Sequence, residues 1–295
     1  MRVVTLLPAA TEIVAALGGA GQLVGISHEC DYPASVQHLP RVTATPVNIQ
    51  ASGGVIDAEV RRLHEAGKPV IGIEADLLRH LAPDLVITQS LCDVCAVAGG
   101  GVHQLATAMD PAPRVLSLEA RNLDGIWADI HRVADALDLA GEADEVVVGL
   151  QSRLGRLRAL RPARPSRVVC VEWLEPLYLS GHWVPELVRA AGGEDVGAEP
   201  GSHSSRREWR EVSGLQPDHV LVMLCGFGID RARGELDAVE DSEALTCLRG
   251  VKVSIIDGNA YTSRPGPRVV DGAARIHAAL AGRPTRDVEP WRSSR

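Results

Sequence analysis

Four cysteines fall in loops where thiol or soft-metal chemistry could be assembled. Cys30 lies in Ser27-His28-Glu29-Cys30-Asp31, Cys92 and Cys95 lie in Gln89-Ser90-Leu91-Cys92-Asp93-Val94-Cys95, and Cys225 lies in Met223-Leu224-Cys225-Gly226-Phe227-Gly228. Each loop follows a β-branched run, and in a parallel α/β sheet ligands sit beyond the carboxyl ends of the strands. Four thiolates, or three with the His28 imidazole, suit zinc, an iron–sulfur cluster or another thiophilic metal. A Cys-x-x-Cys pair also serves as a redox dithiol, and any cysteine can be a small buried hydrophobe. Cys170, inside a strand-like run, and Cys247, late in a helical pattern, are read as hydrophobes.

Other residue types offer binding rather than catalysis. Pro8-Ala9-Ala10-Thr11-Glu12 closes the first strand-like run and opens a helix. Thr11 is expected to cap that helix, and the free amides of its first turn would donate to a ligand. Five Trp stand beside three Tyr and one Phe. Trp173 and Trp183 flank Glu172, Tyr178 and His182, where a flat ligand could stack on the rings. Trp127 belongs to an apolar helical stripe and is expected in the core, Trp209 opens a short helix at a cleft edge, and Trp291 falls in a charged tail. Of the ten His, only His28 sits among cysteines. Nothing resembles a nucleophile elbow, a phosphate-binding loop or a dinucleotide fingerprint.

The elements that must position these residues follow from periodicity. RVVTLL, QLVGIS, KPVIGI, DLVITQ and RVLSLE read as strands, each followed by a turn and a helical pattern. Such alternation predicts a parallel sheet clad in helices. Residues 1–123 form this first lobe. From Asp124 to Leu160 helical spacing runs with few breakers, predicting a bridging element over 124–161, one long helix or two collinear ones with a bend at Gly141. Pro162 and Pro165 then end it. A second α/β lobe, 162–284, follows with RVVCVE, DHVLVML and KVSIID as strands, and 285–295 is read as a tail. LAPDLVITQSLC around Pro83 echoes LQPDHVLVMLCG around Pro217, and ALGGAGQLVG echoes AAGGEDVGAE. Two such lobes create a cleft, a favoured place for small molecules.

Composition narrows the functional classes. With 45% apolar and 23% charged residues the chain is globular, and a net charge of -8 excludes the basic surface that nucleic-acid binding requires. No run approaches the ~20 apolar residues of a membrane span. Six Cys are too few for a disulfide framework. The N-terminal apolar run is cut by Pro8 and Glu12 and lacks a cleavage site, so a cytoplasmic location is expected, or a periplasmic or extracellular one if a leader has been removed.

The chain resembles the substrate-binding proteins that serve vitamin B12 and iron-chelate ABC transporters. The likeness spans nearly its whole length and rests on RVVTLLPAATEIVAALGGAGQLVGIS with the following CDYP, on LAPDLVIT, LSGHWVPELVRAAGGEDV and LQPDHVLV, and on SRPGPRVVDG. The resemblance implies the class III periplasmic-binding-protein fold, two Rossmann-like α/β lobes joined by a long rigid helix. It implies a corrinoid such as cobalamin bound in the cleft without catalysis, for transport or intracellular handling. Two alternatives stay open. One is a zinc, iron–sulfur or redox protein using Cys30, Cys92, Cys95 and Cys225. The other is a ferric-chelate or haem binder. The implied ligand-facing residues are Pro8, Ala9, Ala10, Thr11, Ser27, His28, Glu29, Gln89, Glu172, Trp173, Trp183, Gly226, Phe227, Tyr261 and Arg264, with the segment 45–49. An ABC permease would dock on an acidic residue of each lobe, near Asp76 in the first and near Arg210 and Glu211 in the second.

Overall fold

The computed structural model describes residues 1–89, 99–239 and 248–291. The chain forms two compact units, Met1–Ala51 with Val55–Ala120 and Asp124–Val148, and Ser52–Gly54 with Arg121–Leu123 and Gly149–Arg295.

The first unit contains β1 (Val3–Thr5), β2 (Leu23–Gly25), β3 (Thr43–Ala44), β4 (Gly72–Ile73), β5 (Leu85–Gln89) and β6 (Arg114–Leu118). Four of these make a wholly parallel sheet in the order β2-β1-β5-β6. Helices α1 (Pro8–Ala16), α2 (Gly53–Glu65), α3 (Ala75–Leu81) and α4 (Gly99–Thr107) fall between the strands in sequence. Val4, Leu6, Val42, Leu78, Leu81 and Val86 pack into one buried cluster. Each such side chain contributes about 1.5–3 kcal/mol on burial. KPVIGI is not a strand of the parallel sheet. Only Gly72 and Ile73 are extended, paired antiparallel with β3 in a separate two-stranded ribbon. Pro69 lacks an amide donor, so this segment cannot sustain a ladder.

The helical stretch after β6 is two helices, α5 (Leu123–Leu137) and α6 (Ala140–Arg158). The break is at Asp138, with φ 60°, not at Gly141. The Leu139 amide donates to the Ala134 carbonyl at 2.9 Å, the six-to-one bond that closes a helix end around a left-handed residue. Trp127 is 6% exposed, inside the core as expected.

The second unit is built on β7 (Ser166–Leu174), β8 (Leu177–Leu179), β9 (Gly193–Asp195), β10 (Ser205–Arg206), β11 (His219–Val222), β12 (Lys252–Ile256) and β13 (Val288–Trp291). The order is β10-β8-β7-β11-β12-β13, with β9 also on β7. β7, β11 and β12 run parallel, as does β9 with β7. Helices α7 (Val184–Ala190), α8 (Trp209–Gly214) and α9 (Ile229–Ala238), a single turn at Gly258–Tyr261 and a closing helix Val269–Leu280 complete it. The segment read as a tail is part of the sheet. β13 pairs antiparallel with β12, and Trp291 Nε1 donates to Asp237 at 2.9 Å. Pro290 is tolerated because β13 is an edge strand.

The internal echo is a structural repeat. Arg2 and Arg167 each enter the first strand of their unit, and the Asp84 and Asp218 carboxylates accept their backbone amides at 2.6 and 2.8 Å. The Arg2 guanidinium donates to the Leu81 carbonyl, and that of Arg167 to the Leu215 and Gln216 carbonyls. Ala82 and Gln216, each just before the Pro-Asp, have φ of 41° and 50°. Gly18 and Gly192, at φ 77° and 98°, turn the chain at matching places where a side chain would be strained.

Candidate functional site

In the first unit the chemistry gathers at the carboxyl ends of β1 and β2. Pro8 opens α1 because its fixed φ suits the first helical position. The helix therefore starts at Pro8 with extended Leu7 as its cap residue, and Thr11 lies inside the first turn rather than capping it. Thr11 is fully buried, its Oγ1 2.6 Å from Thr5 Oγ1 and 3.0 Å from Cys30 Sγ. Pro8, Ala9 and Ala10 are buried too.

The loop after β2 is built differently. The Arg41 guanidinium donates to the carbonyls of Ser27, at 3.1 Å, and Cys30, at 2.7 Å, which fixes the loop's curvature. Ser27 is buried, while the His28 ring is half-buried and Glu29 is exposed. His28 Nδ1 lies 2.7 Å from Thr43 Oγ1, which also accepts the His28 amide at 3.0 Å and donates to Ser27 Oγ at 3.1 Å. Burial lowers the His28 pKa, Glu29 opposes that, and Arg41 adds to it. The imidazole is thus held neutral near pH 7. Gln89 is half-buried at the end of β5. In segment 45–49, the Thr45 hydroxyl donates to the Val70 carbonyl at 2.7 Å, Val47 is buried, and Ile49 is exposed.

In the second unit Glu172, Trp173, Phe227 and Arg231 converge at the carboxyl ends of β7 and β11. Trp173 meets Phe227 edge-on, with centroids 5.3 Å apart, and Arg231 covers Phe227 at 3.6 Å. Phe227 is only 4% exposed, whereas Trp173 is half-buried. Ser204 donates to Glu172 Oε2 at 2.6 Å. Gly226, at φ 75°, forms the turn between them and α9. His182, at φ 54°, lies edge-on to His203 at 5.4 Å, and burial, then His203 and Arg121, lowers its pKa.

Trp183, Tyr261 and Arg264 are each hydrogen-bonded within the second unit. Trp183 is buried and donates from Nε1 to the Thr262 carbonyl at 2.8 Å. Tyr261 donates to Asp287 at 3.0 Å, facing a surface hollow of about 650 Å³ that Arg275 and Arg286 also line. Arg264 is 7% exposed and donates to Asn259 at 2.8 Å. A second hollow, of about 660 Å³, is lined by Leu174, Pro176, Leu177, Arg206 and Trp209. Sequence reasoning missed Arg41, Thr43, Ser204 and Arg231. Arg231 follows Phe227 by four residues, a spacing that signals a ring contact, whereas Arg41 and Thr43 act through the fold and leave no local trace.

The described residues lend the thiol-metal reading no support. Cys30 is 2% exposed against Thr11, Cys225 is half-buried, and Cys92 and Cys95 lie outside the described residues, as does Cys247. No group of three His, Cys, Asp or Glu among the described residues could hold an ion. Cys170 is a buried thiol, as read. Among the described residues no helix is long and apolar enough to cross a membrane. At the expected docking positions, Asp76 is fully exposed and paired with Arg79 at 2.8 Å, Arg210 pairs with Glu208 at 2.6 Å, and the Glu211 carboxylate accepts the Glu208 amide at the start of α8.

Comparison with known proteins agrees with this architecture. A vitamin B12-binding protein of Pectobacterium atrosepticum is 22% identical over 289 residues, covering 95% of this chain and 88% of that protein. Among solved structures, the periplasmic haem-binding protein HutB of Vibrio cholerae superposes with a TM-score of 0.72 at 20% identity, covering 95% of this chain and 98% of that one. The periplasmic vitamin B12 binding protein BtuF of Vibrio cholerae gives 0.65 at 20% identity, covering 95% and 96%. These likenesses establish the class III α/β fold, and the family model for periplasmic binding proteins matches residues 3–252. The chain therefore belongs to the periplasmic binding protein family.

Proposed function

We propose that this protein binds a corrinoid and hands it on in transport or intracellular handling without transforming it. The observation that carries the reading is the match of 95% of the chain to a vitamin B12-binding protein. The chemistry of the strand-end loops supports it, taken unit by unit: in the second, Trp173 offers a flat apolar face beside the polar Glu172 and Ser204, and in the first, Ser27, His28 and Glu29 offer polar contacts of the kind an amide-fringed corrin ring requires. A permease that accepts the cargo would meet the exposed Asp76 carboxylate. Calorimetric titration with aquacobalamin tests the binding. A single site per chain with micromolar or tighter affinity supports the proposal. Absence of heat, together with unchanged Trp fluorescence at high micromolar ligand, overturns it.

A further inference from the structure

The loop Ser27–Cys30 carries a detail that binding through contacts alone does not need. The Thr43 hydroxyl donates to Ser27 Oγ at 3.1 Å, so its single proton is committed. With that proton on Ser27 Oγ, the 2.7 Å contact between His28 Nδ1 and Thr43 Oγ1 is one that Nδ1–H donates, the tautomer that leaves the lone pair on Nε2. Among the described residues no group bonds Nε2. The backbone beneath is pinned twice by Arg41, at 3.1 and 2.7 Å, and once by the Glu29 amide, which donates to Ser27 Oγ at 3.3 Å. A fixed imidazole with Nδ1–H engaged and, among the described residues, no group bonded to Nε2 is the arrangement by which proteins orient a metal-bound histidine. It stands at the carboxyl edge of the parallel sheet, where ligands of such sheets bind.

We infer that His28 Nε2 is an axial ligand for the metal of a tetrapyrrole cargo, with Thr43 and Ser27 as positioning residues that fix its tautomer. The inference rests on the binding reading above. Coordination exchanges one axial water of the metal for the Nε2 lone pair, and water is the leaving group. The oxidation state of the metal and the protonation of the ring do not change. The chemistry required of the cargo is a tetrapyrrole metal with an exchangeable axial site, cobalt in a corrinoid or iron in haem.

The test uses the full chain and its His28→Ala, His28→Gln and Thr43→Val variants at pH 7, with diaquacobinamide and ferric haem as separate probes. Affinity is read by calorimetry and coordination by the visible spectrum of the complex. Wild type is expected to shift the bands of a bound probe to those of an imidazole-ligated metal. Both His28 variants should bind at least about tenfold more weakly and lack the shift, and free imidazole should restore it. Thr43→Val should keep the shift with affinity lowered by about tenfold, as for loss of a group that orients a metal ligand. His28→Gln, close to His in volume, keeps the comparison valid if His28→Ala melts early. A shift with haem alone supports the axial role, makes iron the metal and overturns the corrinoid reading. Superimposable spectra of bound wild type and both His28 variants overturn the inference and leave the binding reading intact. If wild type binds neither probe, both fall.

Discussion

Two titrating groups of the second unit are expected to hide one another. Asp195, at the end of β9, has its pKa raised to about 7 by burial, against the hydrogen bonds of the Gly197 and Ala198 amides, Cys170 and Ser180. His219, 4% exposed in β11 with Nε2 2.9 Å from Ser254, has its pKa lowered to about 4 by burial and then by Lys252. The signs oppose. The folded state holds an extra proton on Asp195 above the unfolded value of 3.8, so raising the pH from there to about 7 costs stability. The unfolded state holds the extra proton at His219 below 6.5, so lowering the pH from there to about 4 costs stability. A shift of one unit is worth about 1.4 kcal/mol, so Asp195 could remove at most about 4 kcal/mol. The carboxyl is only half-buried, and screening halves this to about 2 kcal/mol. His219, better enclosed, is worth about 3 kcal/mol. The two nearly cancel across this window. Asp195→Asn should therefore expose the His219 dependence and lose about 3 kcal/mol, roughly 6–12 °C of Tm, on acidification from pH 7 to pH 4. His219→Gln should instead lose about 2 kcal/mol as pH rises through the same range. Urea unfolding of both variants and wild type at half-unit intervals measures this, and differences from wild type cancel the remaining titrations. A difference that stays flat with pH for either variant refutes the assignment to that residue.

Two mutations test the packing around the candidate site. The Asp129 carboxylate, 3% exposed, accepts the Glu119 and Ala120 amides at 2.9 Å each, and Asp129→Ala would orphan both; chemical denaturation should show a loss of about 2–4 kcal/mol. Trp183→Phe removes the donor to the buried Thr262 carbonyl and should cost about 1–3 kcal/mol in the same assay, with corrinoid affinity changed less than threefold because the ring is core rather than contact surface. A large affinity loss without a stability loss would restore Trp183 as a ligand residue.

The parts legible in the sequence were those written in local patterns. The β-branched runs of β1, β5, β7 and β11, and the Pro-Asp echo that clamps Arg2 and Arg167, could be read without the structure. β13 was not legible, because Asp287, Glu289 and Pro290 give an edge strand the look of a tail, and its partner β12 is supplied by the fold. The start of α1 was misplaced because Thr11 is a good cap by type, while Pro8 at the first helical position takes precedence. His28 was found by its neighbours Glu29 and Cys30, but the reason it matters lies in Thr43, fifteen residues away and brought beneath it by the loop that Arg41 pins. Cys30 misled, since a thiol in a loop reads as available until Thr11 is seen against it.

The account stands on corrinoid binding, and the most direct measurement is calorimetric competition of aquacobalamin against ferric haem on purified protein. It predicts one corrinoid site per chain, with haem displaced by equimolar aquacobalamin. A saturable haem site that excess aquacobalamin leaves occupied, or no binding of either, contradicts it.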